Sequence, residues 1–473
     1  MDKKFLSIGM MAGTAQEKYR DLQRGCCETW VKECDKVYFF CGKHYDFEFE
    51  GEMVNLTENA EFVHFNELNE NYESACPKFW YGLSWLMQNS PSDLYLMVGT
   101  DNYVKYDKVV ESLKKFDPKM PYLLGGPMQH RCLVAHGVPI QVGFNIGGGG
   151  QVISHAALEL IFNQYEGDRD EQVKALLTDW AGICVESNRL DLLPSCDVAS
   201  CYMATILNIP MISHMGYSPI DCNGYQFWHA NGCYFPYNKD NIIICHYMDR
   251  FLQNSYHKEL GYGGDTEDLA RQQIELKYNE KKDTPSDINE HIPTLYEYAS
   301  KCKKIAEMGV RSIVSSWAFL KGLADNNGTN LYCIDIDKID MSGIKGVAKE
   351  VGVDLQFIQG DSATVDLPEE VELLFIDTLH CMAHVKREQE HHHAKVRKYI
   401  IYHDTTVDEW LGEPLRVGMN IDELCKKTGY HVSEVTRGLW PGIQEFLDTH
   451  PEWVIEKRFT NNNGLTILKR VDG

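Results

Sequence analysis

Positive charge is scarce in this chain: 46 Lys and Arg stand against 69 Asp and Glu, a formal net charge of −23. Phosphate backbones and anionic lipids bind to basic surfaces, so nucleic acid and membrane are excluded as expected partners. An anionic nucleotide ligand survives that argument, because a metal ion or helix N-termini can accommodate it locally. Long hydrophobic runs are also missing, and no segment approaches the length of a membrane span. The opening residues, Met1-Asp-Lys-Lys-Phe-Leu-Ser-Ile-Gly-Met10, lack the apolar core of a secretory leader. The 16 cysteines are scattered, with none of the paired spacing of metal fingers, which predicts free thiols in a reducing cytoplasm.

What is present is ordinary globular material, 44% hydrophobic and 24% charged, over 473 residues. That length exceeds one ordinary core and predicts two or three domains. The first half alternates strand and helix patterns. Lys4–Met10 and Val37–Gly42 read as strands, Tyr19–Val31 as a helix, and Lys78–Gln88 as a helix opened by Pro77. The stretch Leu94–Val98 reads as a buried strand that runs through Gly99-Thr100 into Asp101-Asn102. An acid there is either a turn residue or a carboxylate delivered to the crevice of an α/β sheet, and spacing alone leaves the two about even.

Downstream, Gly147–Gly150 precede a predicted helix at Ala156–Tyr165. Four glycines in a row imply a backbone that bends sharply or is approached closely, and we expect a substrate-lining turn. Asp197 is predicted as the N-cap of a helix running to Leu207. Asn241–Met248 reads as a strand carrying His246.

Several stretches, in order, resemble the inverting β1,3-glycosyltransferases that include Fringe and core 1 galactosyltransferase. They are Arg24–Trp30, Lys78-Phe-Trp-Tyr-Gly-Leu83, Tyr95–Val104, Gly147–Ser154, Ser195-Cys-Asp197-Val198 and Ile244-Cys-His246-Tyr247. The resemblance spans roughly residues 1–255 and implies a GT-A-type nucleotide-sugar domain. By it, Asp101 and His246 hold Mn2+ or Mg2+ at the diphosphate of a UDP-sugar, Lys78, Gly148 and Gly149 line the donor site, and Asp197 is the catalytic base. The family's acidic triplet is reduced here to Gly99-Thr100-Asp101. Such a transfer needs a cation for the leaving diphosphate and one carboxylate for the acceptor's proton.

The second half begins a fresh alternation after a stretch expected to be a linker, 259–286, which separates domains at 1–258 and 287–473. Predicted strands end in Glu307-Met-Gly309, Asp335, Asp361, Asp377 and Asp404. Carboxylates gathered at one sheet edge repel unless they meet hydroxyls, an amine or a metal. The order resembles class I S-adenosylmethionine-dependent methyltransferases, especially metal-assisted sugar and small-molecule O-methyltransferases, and implies a Rossmann-like domain. By that resemblance Glu307 and Gly309 line the methionine end of the cofactor, Asp335 holds the ribose and Asp361 sits near the adenine. Asp377 and Asp404 hold a divalent cation, and His380 or His403 is the base. Ile313 stands where a second glycine is usual. His391-His-His393 is expected to be solvated surface.

The expected protein is thus a cytoplasmic α/β enzyme of two domains, joining sugar transfer from a nucleotide donor to O-methylation of a sugar. Its expected partners are a UDP-sugar, a glycan acceptor and S-adenosylmethionine, and oligomerisation is left open. Two alternatives are an active transferase carrying a non-catalytic methyltransferase-like module, and a methyltransferase with a glycan-binding N-terminal domain.

Overall fold

Alternate residues of the apolar run in β4 (Ser92–Gly99) enter opposite cores: Tyr95 and Met97 on one side, Leu94, Leu96 and Val98 on the other. A strand covered on both faces has no need of polar alternation, which is why this one reads as a continuous apolar run. In the computed structural model β4 lies at the centre of a seven-stranded sheet. The structure describes residues 4–145, 147–218, 222, 241–262 and 266–471. The chain divides into two compact units, Met1–Gly264 and Asp265–Gly473.

The first unit also contains β1 (Lys4–Met11), β2 (Val37–Cys41), β3 (Ala60–His64), β5 (Tyr103–Val104), β6 (Leu123–Gly125), β7 (Met128–Ala135), β8 (Val138–Asn145), β9 (Gln151–Ser154), β10 (Met211–Ser213) and β11 (Ile244–Cys245). The large sheet has the order β10-β6-β9-β4-β1-β2-β3. Its strands β4, β1, β2 and β3 are mutually parallel, while β9 runs antiparallel between β4 and β6. Helix Ala75–Asn89 packs Phe79, Trp80, Leu83 and Leu86 on one face, and Cys26, Cys27, Trp30 and Val31 cover the other. The predicted strand 241–248 contracts to β11, which pairs with the short β5 and bridges to Tyr217. The hairpin β7–β8 and strand β3 had no counterpart in the sequence reading.

The second unit contains β12 (Lys304–Met308), β13 (Asn330–Asp335), β14 (Asp354–Gln359), β15 (Val371–Ile376), β16 (Val396–His403), β17 (Trp453–Phe459) and β18 (Leu465–Arg470). They form one sheet of order β14-β13-β12-β15-β16-β18-β17, parallel from β14 to β16, with β18 antiparallel to both neighbours. Strand order reverses between β12 and β15, and crevices open beyond the carboxyl ends at such a switch. Within the stretch expected to be a linker, Glu267–Asp283 is a helix of this unit. Its charged surface hid a buried stripe, Ala270, Ile274 and Tyr278, at four-residue spacing. Residues 263–265 of that stretch lie outside the described residues.

At the end of β12 the Glu307 carboxyl is fully buried. It accepts hydrogen bonds from Ser315 and Ser316 (2.6 Å for the latter), the first residues of helix Ser315–Asp325, and one from Cys333. Burial outweighs those bonds and raises its pKa from an ordinary 4.5 to about 7. A carboxyl raised on folding contributes stability below its unfolded pKa and loses it as pH climbs through the folded value. The second unit should therefore lose up to ~3 kcal/mol between pH 4.5 and 7 from this group. Calorimetry of Glu307→Gln should show a flatter pH dependence across that interval; an unchanged slope would contradict the assignment.

Candidate functional sites

In the first unit the corner after β4 is fixed by Asn102, which is buried. Its Oδ1 accepts from the Gly99 amide at 2.7 Å, and its Nδ2 donates to the carbonyls of Gly148 (2.6 Å) and Cys245 (3.0 Å). One side chain thus fastens the strand end, the glycine run and the strand before His246. The Asn102 carbonyl accepts from Trp30 Nε1 at 2.9 Å, and the Asp101 carbonyl from the Met248 amide at 2.9 Å. Held this way, Asp101 Oδ2 lies 3.2 Å from His246 Nε2. Burial pushes the Asp101 carboxyl up, but the hydrogen bond and charge of His246 prevail and leave it below the ordinary carboxylate range.

The glycine run is explained by what presses on it. A Cβ at Gly148 would collide with the His246 imidazole, and one at Gly149 would come within 2.5 Å of the Tyr217 backbone. At Gly99 a Cβ would come within 2.8 Å of Asp101 Oδ1, so a larger residue there would make that carboxylate shift. Asp197 is in the first turn of helix Cys196–Ile206 rather than at its cap, which is Ser195; its Oδ1 accepts from the Val198 amide at 2.9 Å. Lys78 is buried and donates to the Ala12 carbonyl at 2.6 Å, with Glu70 3.5 Å away.

Lys78, Asp101, Gly148, Asp197 and His246 all line one cavity of about 410 Å³, beyond the ends of β1 and β4. Glu70, which the sequence reading missed, lines it too. Its carboxylate accepts from the amides of Thr14 (2.8 Å) and Gly42, joining the loops after β1 and β2. It lies in a polar stretch without periodicity, so nothing in the pattern marked it.

The second unit has a cavity of about 1090 Å³ at its switch point. Gly309, Asp335, Asp361, Asp377 and His380 line it; Glu307, His403 and Asp404 are buried and do not. Asp335 caps the loop after β12, with Oδ2 accepting from the amides of Val310 (2.9 Å) and Arg311 (3.0 Å). That loop is tightly wound, with positive φ at Gly309 (+87°), Arg311 (+42°) and Ile313 (+55°). The position usually held by glycine therefore keeps a glycine-like backbone while carrying a β-branched residue, which is strained.

His380 is at the centre of a carboxylate cluster. Its Nε2 is 3.1 Å from Asp377, and its Nδ1 is 3.0 Å from Asp404 and 3.4 Å from both Asp408 and Glu413. Burial disfavours the imidazolium, but Asp377, Asp408 and Asp404 prevail and hold the ring well above its ordinary pKa. Burial raises Asp377, and the two imidazoles outweigh it, taking that carboxyl well below the usual range. His403 meets Asp377 at 3.3 Å on one side and backbone carbonyls of Asp287 and Asn462 on the other, which makes it a buried anchor behind the cavity wall. The Asp404 carboxylate is raised by burial, and its Oδ1 has no hydrogen-bond partner.

Asp408, Glu413 and Arg416 were missed. They follow β16 in a segment with no strand or helix period, and Arg416 grips Asp408 through two nitrogens at 2.5 and 2.9 Å. A second buried network was also missed, though His384 and Glu388 at i,i+4 spacing were a legible signal. Ser362 Oγ meets His384 at 3.0 Å and Glu388 at 2.6 Å, and Tyr430 closes on His384 at 2.9 Å. The histidine run is solvated surface only at His391. His392 is buried and its Nε2 meets the Ser362 carbonyl at 2.7 Å, and His393 is half-buried.

Neither family models nor curated proteins match this sequence. Solved structures similar to it include the SAH-bound methyltransferase PaMTH1 of Podospora anserina, at 15% identity over 51% of this chain and 100% of that one, with a TM-score of 0.27. The O-methyltransferase TomG of Streptomyces achromogenes in complex with SAM is 13% identical over 46% of this chain and 96% of its own, TM-score 0.29. An SAH complex of an O-methyltransferase from Bacillus cereus is 13% identical over 46% and 96%, TM-score 0.27. At those identities and scores the chemistry rests on the geometry of the sites themselves.

The residues present fit a divalent cation in both units. Asp377, His380 and Asp404 bring ligand atoms within 4.8 Å of one another, and Asp404 Oδ1 is an orphaned buried acceptor. Asp101 and His246 offer one hard oxygen and one imidazole, two ligands of a kind such a cation accepts. Two outcomes follow for the backbone. Gly309→Ala, whose Cβ would collide with the Asp377 carbonyl, should cost the second unit at least ~2 kcal/mol, whereas Ile313→Gly should cost nothing or stabilise it. Asn102→Ala should destabilise the first unit by roughly 2–4 kcal/mol, since it strands the buried Cys245 carbonyl and the half-buried Gly99 amide and Gly148 carbonyl. Urea unfolding measures all three.

Proposed function

We propose that the chain is a bifunctional enzyme of glycan synthesis, in which the second unit methylates a hydroxyl and the first transfers sugar from a nucleotide donor. The observation that carries the methyl-transfer reading is a cavity at the switch point, large enough for a nucleoside cofactor, with a buried carboxylate–imidazole cluster in its wall. S-adenosylmethionine supplies an electrophilic methyl group and leaves as the neutral thioether. Asp335 and Asp361 face the nucleoside, with lone pairs left for ribose hydroxyls. Once the carboxylate charge that keeps it protonated is offset, His380 would take the proton of the acceptor hydroxyl, with Asp408 beside the imidazolium that results. A divalent cation on Asp377 and Asp404 would offset the charge that otherwise keeps His380 protonated, and would draw the acceptor oxygen into place.

For the first unit, support comes from the convergence of Lys78, Asp101, Gly148, Asp197 and His246 on one cavity. Asp101 and His246 would hold the cation at the donor diphosphate, which supplies the electrostatic stabilisation of the leaving group. Asp197, across the cavity, takes the acceptor proton in a direct displacement with inversion at the sugar carbon.

A panel of UDP-sugars with manganese should yield UDP, and Asp101→Ala should lower that rate by roughly 100-fold or more. No release with any donor, or a variant equal to wild type, defeats the transfer reading. S-adenosylmethionine at a hundredfold excess over its Kd should stabilise the second unit by about 2.7 kcal/mol. Asp404→Asn should retain that stabilisation while losing metal-dependent methyl transfer. Absence of any stabilisation in wild type would favour a non-catalytic module.

A further inference from the structure

The histidine run ends in a second cluster, at the far edge of the second unit's sheet. Glu390, His393 and His450 bring one ligand atom each within 4.8 Å of one another. They come from the end of helix Met382–His392, the turn that follows it and the residue after helix Leu439–Thr449. This edge lies where β16 begins, whereas the cavity lies where β16 ends. The intervening 11-residue helix puts about 16 Å between the two.

Two details go beyond mere proximity. His450 Nδ1 lies 3.1 Å from the carbonyl of Phe446 and 3.0 Å from Thr449 Oγ1; in the tautomer that donates to the carbonyl, Nε2 presents its lone pair. An imidazole tied by its other nitrogen to a backbone carbonyl is how proteins orient metal ligands. His393 Nδ1 is buried and has no hydrogen-bond partner, so its polar capacity is unspent. Its ring meets that of His450 edge-on at 4.3 Å between centroids, and His450 stacks on Phe446, which holds both rings in place. Glu452 lies 3.8 Å from His393 Nδ1 and offers a further carboxylate.

We propose that Glu390, His393 and His450 form a binding site for a borderline-soft divalent cation, Zn2+ by its ligand set, that ties helix Met382–His392 to helix Leu439–Thr449. Two imidazoles and a carboxylate suit zinc, with bonds of about 2.0–2.2 Å. Closing the three ligand atoms onto one ion takes only small side-chain movement, and Glu390 is exposed and free of the helix packing that would resist it. The first helix carries His384 and Glu388 of the buried network behind the cavity, so the ion would brace the site's rear wall.

The test uses the full chain, stripped with EDTA, loaded with ZnCl2 and desalted, with retained zinc counted by atomic emission. The background is Asp377→Asn with Asp404→Asn, which removes the cavity cluster from the count. His450→Ala and Glu390→Gln should each lose one equivalent of zinc and the zinc-dependent rise in the second unit's unfolding midpoint, and His391→Ala should lose neither. Equal zinc in His450→Ala and its parent, or equal loss in His391→Ala, overturns the site. Should His450→Ala fail to fold, the exposed Glu390→Gln decides alone.

Discussion

Charge carried out of water at the ends of buried strands has to be matched, and that requirement shapes the cavity edge of both units. In the first unit the match is lean: one carboxylate, Asp101, set against one imidazole, with Asn102 holding the backbone that presents them. In the second it is dense. Four carboxylates crowd around His380, and only the second imidazole and Arg416 keep the cluster near balance. Each arrangement is stable only while every partner is present, so neither corner tolerates drift. The same fixity is what a reaction needs from the groups that hold a leaving phosphate or receive a proton.

Much of this was legible in the sequence. Five parallel strands of the second unit ended within two or three residues of where apolar runs met an acid, because a strand buried on both faces announces itself by unbroken hydrophobicity. The acids of Asp101, Asp335, Asp361 and Asp377 followed from the same pattern, being where such a run must stop. Partnership was not legible. Whether an acid faces a cavity or a helix N-terminus depends on chain tens of residues away, and Glu307, read as cofactor-lining, turned out to be held by Ser315 and Ser316 of the following helix. His403 and His380 looked equivalent, yet one anchors while the other faces the cavity. Glu70 and Asp408 come from irregular segments, and Glu413 from a four-residue helix, Glu413–Arg416, where periodicity carries no signal. The packing of helix Glu267–Asp283 into the second unit was hidden for the opposite reason, its narrow apolar stripe outnumbered by surface charge.

The departures from family pattern also take on physical meaning. Gly99 stands where the resemblance put an acid, and a Cβ there would press on the Asp101 carboxylate. Ile313 keeps the backbone of the glycine it replaces, so the loop's path is imposed by Asp335 and by the approach of Gly309 to Asp377 rather than by the residue itself. One substitution is absorbed by geometry and the other is tolerated against it.

The seventh strand of the second unit has a consequence for how that unit is made. β18 inserts between β16 and β17, pairing His403 with Leu465, so the strand made last along the described chain is an interior one. During synthesis β16 must therefore wait with an open edge, next to the carboxylates it delivers, until some sixty further residues have emerged. The cluster's own side chains, Asp377 to Arg416, are therefore all made before the strand that closes the edge beside them.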